Sequence, residues 1–381
     1  MTVREDYNNN LFFWFFPAKT PLETTPWIIW LQGGPGVTSM LGLFELIGPV
    51  RIKNGEVKQS NVTWSSDYSL VFVDNPVGAG YSFTDDERGY PDNEDDVGSQ
   101  LLEFIVQFLE MFPEMRNAPL FISGQSYAGK YVPALGIQIH RHNQRNNNHI
   151  NLRGLTIGNG LMQLRDVMHY SELCRSLGLL DGAELDVVAS LDEQVVKLID
   201  DNQLVEAANK FNETIEYIKK KSGVNIYNFI RDPSSKAPEF EEYVTREDVR
   251  HLIHVGNATF VYNNQHVYYK MLPDFANTTK PFVEELLDHY GVMSYSGQLD
   301  VILPYSLSKY MYQTLQWSRR EDYIKATRTQ YRRRSDGPVA GYIKKGGNFV
   351  EVFIRNAGHS VPSDQPDVIK SLIDDFINAY K

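Results

Sequence analysis

The chain carries a single cysteine, Cys174, among its 381 residues. One thiol excludes an intramolecular disulfide and any zinc site built on cysteines, and it leaves the redox compartment open. Positive charge is also in deficit: 37 Lys and Arg stand against 48 Asp and Glu, a formal net charge of −11. That balance argues against a protein that tracks a nucleic-acid backbone. No run approaches the roughly 18 apolar residues of a membrane-spanning helix, and no internal repeat is present. The opening residues lack the basic segment, apolar stretch and small-residue cleavage site of a secretory leader. Four Asn-x-Ser/Thr sequons nonetheless occur, at Asn61, Asn212, Asn257 and Asn277. They are candidate glycosylation sites, and the sequence reads as one that begins part-way into a mature protein.

What is present is apolar material, 42% hydrophobic and 12% aromatic residues. That is too much for a disordered chain and enough for one large core, alone or with an insertion. Trp27–Leu31, Leu70–Val73, Leu120–Ser123 and Leu152–Ile157 read as strands buried on both faces, and the aromatic run Leu11–Phe16 reads as a further strand. Between them, Asp96–Phe112 carries Val97, Leu101, Phe104, Ile105 and Phe108 at helical spacing. Strands alternating with helices predict an α/β fold with a mostly parallel sheet covered on both sides.

The pattern changes after Gly158-Asn159-Gly160. Residues 161–285 read as a helical insertion between a first core segment, 1–160, and a second, 286–381. In the second segment, strands are expected at 291–295, 339–344 and 349–354. A last helix follows, with Ser363 and Asp364 as cap candidates and Pro366 in its first turn.

The chemistry sits at the predicted strand ends. Ser123-Gly124-Gln125-Ser126-Tyr127-Ala128-Gly129 follows a buried strand and precedes a helix, so small residues allow a sharp turn that exposes the Ser126 hydroxyl. The fifth position of G-x-S-x-G is Ala128, so the strict pattern fails. Asp300 and His359 each follow a later strand, in the order Ser…Asp…His of the α/β-hydrolases. In that set His359 takes the Ser126 proton while Asp300 fixes the imidazole tautomer. Gln32-Gly33-Gly34-Pro35-Gly36 lies just past the strand at 27–31, where glycine amides can meet an oxyanion. It lacks the Lys-Ser/Thr pair of a P-loop and the spacing of a dinucleotide loop.

With these segments in view, Trp30–Gly36, Asp74–Ser82, Gly124–Tyr131, Gly158–Gly160 and Gly358–Pro362 resemble, in order, the motif set of the serine carboxypeptidases. The resemblance is closest to the animal vitellogenic-like branch. It implies an α/β-hydrolase fold whose insertion caps the active site, with Ser126, Asp300 and His359 as the triad. It also implies the Gly34 and Tyr127 amides as oxyanion donors, a secretory or lysosomal setting, and Tyr81, Phe83 and Tyr127 along the substrate pocket. The reaction implied is removal of the C-terminal residue of a peptide or protein through an acyl-enzyme, without metal or organic cofactor. No nucleic acid and no membrane span is expected, and monomer and homodimer are both left open.

The recognition site departs from the family. Its members bind the terminal carboxylate with an amide ahead of the glycines and two glutamates. Here Gln32 and Gly33 fit the first part, Gln125 replaces one glutamate and Leu46 falls at the other, with Glu45 adjacent. A neutral site predicts the loss of an acidic pH bias, because no shared proton remains to favour binding. The altered site keeps an esterase, amidase or acyltransferase open on the same triad, and a non-catalytic binding or storage protein is the reading from another class. His140, His142 and His149, the pair His251 and His254, and the basic run Arg332–Arg334 with Arg319 and Arg320 are expected to be solvated surface. No metal site is read from them.

Overall fold

The computed structural model describes residues 1–233, 237–333 and 337–381. Its central sheet is built from the apolar runs. β1 is Phe13–Phe16, β2 Trp27–Leu31, β3 Ser69–Val73, β4 Leu120–Gln125, β5 Leu152–Gly158, β6 Gly291–Gly297, β7 Thr329–Tyr331, β8 Gly341–Gly346 and β9 Phe349–Ile354. The spatial order is β7-β8-β9-β6-β5-β4-β2-β3-β1. Six neighbours, from β9 through β3, run parallel, with antiparallel partners at the two edges.

Every residue of β2, β3 and β4 is buried. Successive side chains point to opposite faces, so Trp27, Ile29 and Leu31 enter one apolar layer while Ile28 and Trp30 enter the other. Helices α1, Glu94–Met111, and α2, Ala128–Arg145, make the crossovers on the first face. Helix α1 starts two residues ahead of the expected Asp96 because Asn93 caps it, its side chain accepting from the Asp96 amide at 2.9 Å. Glu94, Asp95 and Asp96 then lie in the first turn, where acids oppose the helix dipole.

Between β5 and β6 lie helices α3, Tyr170–Leu177, α4, Gly182–Asp200, and α5, Leu204–Ser222, then short helical turns and α6, Lys280–Leu287. The expected boundary at 285 falls inside α6, whose Leu286 packs where a Cβ on Gly136 of α2 would sit. The inserted segment is tied to the strand ends by backbone pairing. Val37 bridges Asn263, Gly80 bridges Val261, and the His359 amide donates to the Tyr227 carbonyl at 2.7 Å. Cys174 is buried within α3.

The chain closes on α7, Pro366–Tyr380. Ser363 and Asp364 do not cap it as expected. They belong to a separate short turn, Val361–Asp364, and the Asp364 carboxylate is drawn back to the Gly358 amide at 2.7 Å.

Candidate active site

Strand β4 ends at Gln125 and α2 begins at Ala128, which leaves two residues to reverse the chain. Ser126 takes the turn at φ +64°, a left-handed conformation that costs free energy in a residue with a Cβ. Neighbours hold it there. Its N–H donates to the Gly158 carbonyl at 3.0 Å, and its carbonyl accepts from Gly129 and Leu161 at 2.9 and 3.0 Å. The glycine loop lies directly against this elbow. A Cβ on Gly33 would fall 2.5 Å from the Tyr127 nitrogen and 2.8 Å from Ser126 Cβ, so only glycine fits. Among the described residues, neither the Gly34 nor the Tyr127 amide has an acceptor, which leaves both free for an external oxygen.

Asp300 and His359 sit in loops beyond β6 and β9. His359 Nδ1 is 2.7 Å from Asp300 Oδ2, and both side chains are buried. The carboxylate is over-determined. Oδ1 accepts from the amides of Ile302 and Leu303 at 3.0 and 3.3 Å, and Oδ2 accepts also from Asn159 Nδ2 at 2.6 Å. The second imidazole nitrogen, Nε2, is buried without a partner among the described residues. The bond to Ser126 is therefore not made in this structure, and catalytic hydrogen bonds of this kind often tighten only with substrate. The elbow and the histidine loop are adjacent, because Gln125 Nε2 donates to Ser360 Oγ at 3.3 Å.

The proposed carboxylate-binding residues divide in two. Gln32 is buried, its Oε1 accepting from Trp30 Nε1 at 3.1 Å. Gln125 is buried too, and its Oε1 has no partner among the described residues. Glu45 instead sits half-exposed, with Arg51 at 4.0 Å. Burial raises its pKa, opposed by Arg51 and reinforced by Glu239. Leu46 is core. The segment carrying both, Gly42–Leu46, is a π turn closed by the Ile47 amide on the Gly42 carbonyl at 2.9 Å. Adjacent side chains on this wider turn are therefore separated by less than the roughly 100° of an α-helix.

Two buried acids support the site from behind. Asp74 accepts from Thr38 Oγ1 at 2.5 Å and from the amides of Ser39 and Tyr81 at 2.9 and 3.0 Å, joining the glycine loop to the turn after β3. Burial nonetheless pushes its pKa up to about 6. Glu94 lies beside Tyr127, and burial, then the Asp274 charge, hold its pKa well above the ordinary carboxylate range.

Several of these roles were not visible in the sequence. Asn159 stood out only as the centre of Gly-Asn-Gly. Its φ of +41°, a conformation asparagine tolerates better than most residues, turns its amide onto Asp300. Tyr227, whose ring lies 5.3 Å from that of His359, had no local signal at all.

One histidine reading needs correction. His140 is not solvated but buried, stacked on His289 at 4.4 Å with Nδ1 3.1 Å from Tyr290 Oη. His251 and His254 are both exposed, as expected, with His254 beyond the helix that ends at Leu252. Among the described residues no group of three or more His, Cys, Asp or Glu is arranged to hold a metal. Arg332 and Arg333 are exposed as expected, and Arg334 lies outside the described residues. Among the described residues, no helix is long and apolar enough to cross a membrane.

Comparison with known proteins places the chain in a family. The family model described as serine carboxypeptidase matches residues 1–379. The venom serine carboxypeptidase of Apis mellifera is 40% identical over 388 residues, covering 99% of this chain and 83% of the relative. The vitellogenic carboxypeptidase of Aedes aegypti is 40% identical over 392 residues, covering 99% and 82%. The crystal structure of Kex1(delta)p, a prohormone-processing carboxypeptidase from Saccharomyces cerevisiae, superposes with a TM-score of 0.88. It does so at 23% identity, over 100% of this chain and 90% of that one, a likeness of fold.

Proposed function

The chain belongs to the serine carboxypeptidase family and is a serine-type carboxypeptidase, and from that premise we propose which residues carry the reaction. Ser126 Oγ attacks the last peptide carbonyl while His359 Nε2 takes its proton and Asp300 holds the imidazole by Nδ1. The Gly34 and Tyr127 amides receive the oxyanion, His359 returns the proton to the departing amino acid, and water then cleaves the acyl-enzyme. Gln32, Gly33 and Gln125 take the terminal carboxylate, with Glu45 at the margin. The observation that carries this reading is the Asp300–His359 contact of 2.7 Å, with Nε2 unpartnered, beside a serine held at positive φ.

The segment 161–285 acts as the cap over this site. The relative named for venom supports a secreted or lysosomal setting. Asn61, Asn257 and Asn277 are exposed and suited to glycosylation, whereas Asn212 is half-buried and donates to Tyr268 Oη at 2.6 Å.

One experiment tests the residues and the pH behaviour together: pH profiles on a peptide acid and the matched ester, for wild type, Ser126→Ala and Gln125→Glu. Ser126→Ala is expected to abolish both activities. Gln125→Glu is expected to move the peptide-acid profile, and not the ester profile, toward acid. A residual rate in Ser126→Ala, or a Gln125→Glu profile identical to wild type, contradicts the respective part. Ester cleavage without peptide cleavage points to an esterase on the same residues.

A further inference from the structure

The stretch Asn225–Arg231 leaves α5 and crosses the loops that hold Asp300 and His359. It is bound to both. The Ile226 carbonyl accepts from Val301 and Ile302 at 2.9 and 3.1 Å, and the Phe229 amide donates to the Leu299 carbonyl at 3.1 Å. The Tyr227 carbonyl accepts from His359. One side chain fastens this strap to the histidine loop. Asp364 Oδ2 accepts from the Gly358 amide at 2.7 Å and from Asn228 Nδ2 at 3.1 Å, while Oδ1 takes a charge-assisted bond from Arg231. The Asp364 side chain is only 6% exposed, whereas Arg231 is 60% exposed.

We propose that Asp364 is a positioning residue for the reaction, which with Arg231 and Asn228 latches the inserted strap onto the loop preceding His359 and so fixes the imidazole against Asp300. The inference rests on His359 being the general base. The Gly358 amide adjoins that base directly, so a carboxylate anchored on one side by this amide and on the other by the strap sets where the His359 backbone begins. Charge-assisted bonds are among the stronger and more directional ones, and displacements near 1 Å in such a site cost on the order of 100-fold in rate. A tie of this kind acts on the chemical step and not on substrate binding.

The test uses the full chain with Arg231→Ala, Arg231→Lys and Asp364→Asn. Arg231→Ala and Asp364→Asn are each expected to lower kcat about 5- to 30-fold with KM within about twofold, because only a transition-state contact is disturbed. Arg231→Lys is expected to recover most of kcat. A wild-type kcat in Arg231→Ala overturns the proposal, and because Arg231 is exposed this arm decides even where Asp364→Asn does not fold. Phosphonylation of Ser126 in His359→Ala separates the two readings. Labelling at the wild-type rate removes His359 as base and the latch with it, whereas lost labelling with a silent Arg231→Ala removes the latch alone.

Discussion

Asn159 shows what a single residue contributes. Its side chain does two jobs at once, donating to Asp300 Oδ2 at 2.6 Å and accepting from the Gly297 amide at 3.2 Å. Asp300 is aimed at the imidazole by neutral donors, Asn159 Nδ2 and the amides of Ile302 and Leu303. Asn159→Ala removes one hydrogen bond to a charged group, worth about 1.5–3 kcal/mol. If that loss falls on the transition state, kcat drops roughly 10- to 160-fold with KM little changed. Steady-state kinetics on a peptide acid check this, and an unchanged kcat would mean the Ile302 and Leu303 amides suffice.

At the scale of elements, α2 must dock so that its N-terminus lies behind the nucleophile. Lys130, in the first turn of the helix, is fully buried and bonded to the Asp274 carbonyl, to Asp274 Oδ2 at 3.3 Å and to the Asn277 carbonyl at 2.8 Å. Burial lowers its pKa, and Asp274 and Glu94 oppose the shift. Removing one partner of a buried pair leaves a charge unpaired. Lys130→Met is therefore expected to cost about 3–5 kcal/mol, read as a fall in thermal midpoint. Lys130→Met with Asp274→Asn should regain part of that loss, and a double variant less stable than the single one contradicts the account.

The same scale explains what the sequence could reveal. Trp27–Leu31 and Leu120–Ser123 were legible because parallel strands buried on both faces are continuous apolar runs. Ser126, Asp300 and His359 stood out because each follows such a run. The π turn at Gly42–Leu46 was not legible, since only the Ile47-to-Gly42 bond distinguishes it from an α-helical turn. Nor was the Asn225–Arg231 strap, whose role arises from backbone carbonyls with no side-chain pattern. Ser363 and Asp364 look like caps in any local reading, and long-range bonds to Gly358, Asn228 and Arg231 redirect Asp364.

For the molecule as a whole, the buried acids and the buried histidine pull stability in opposite directions with pH. Asp74, fully enclosed, keeps its proton up to about 6, whereas an unfolded chain releases it near its ordinary 3.8. Across that window the folded state binds more protons, so this contribution is complete below about 3.8 and fades as pH rises through 6. The gap between those two values is worth about 3 kcal/mol. Glu94 acts with the same sign, its pKa also raised by burial. His140 acts against them: its pKa is lowered by burial and by His289, so its contribution is lost as pH falls below the ordinary 6.5. Carboxylates held low by ion pairs, such as Asp67 on Lys370, lose theirs only below about 4. The net charge of −11 relaxes as acids protonate, which removes self-repulsion. Two acids and the relaxed charge outweigh one histidine, so the thermal midpoint is expected to be higher at pH 5.5 than at pH 7.5. Asp74→Asn, uncharged at both, should flatten the difference. A midpoint that is the same or higher at pH 7.5 in the wild type would mean that the three donors around Asp74 outweigh its burial and keep it ionised throughout.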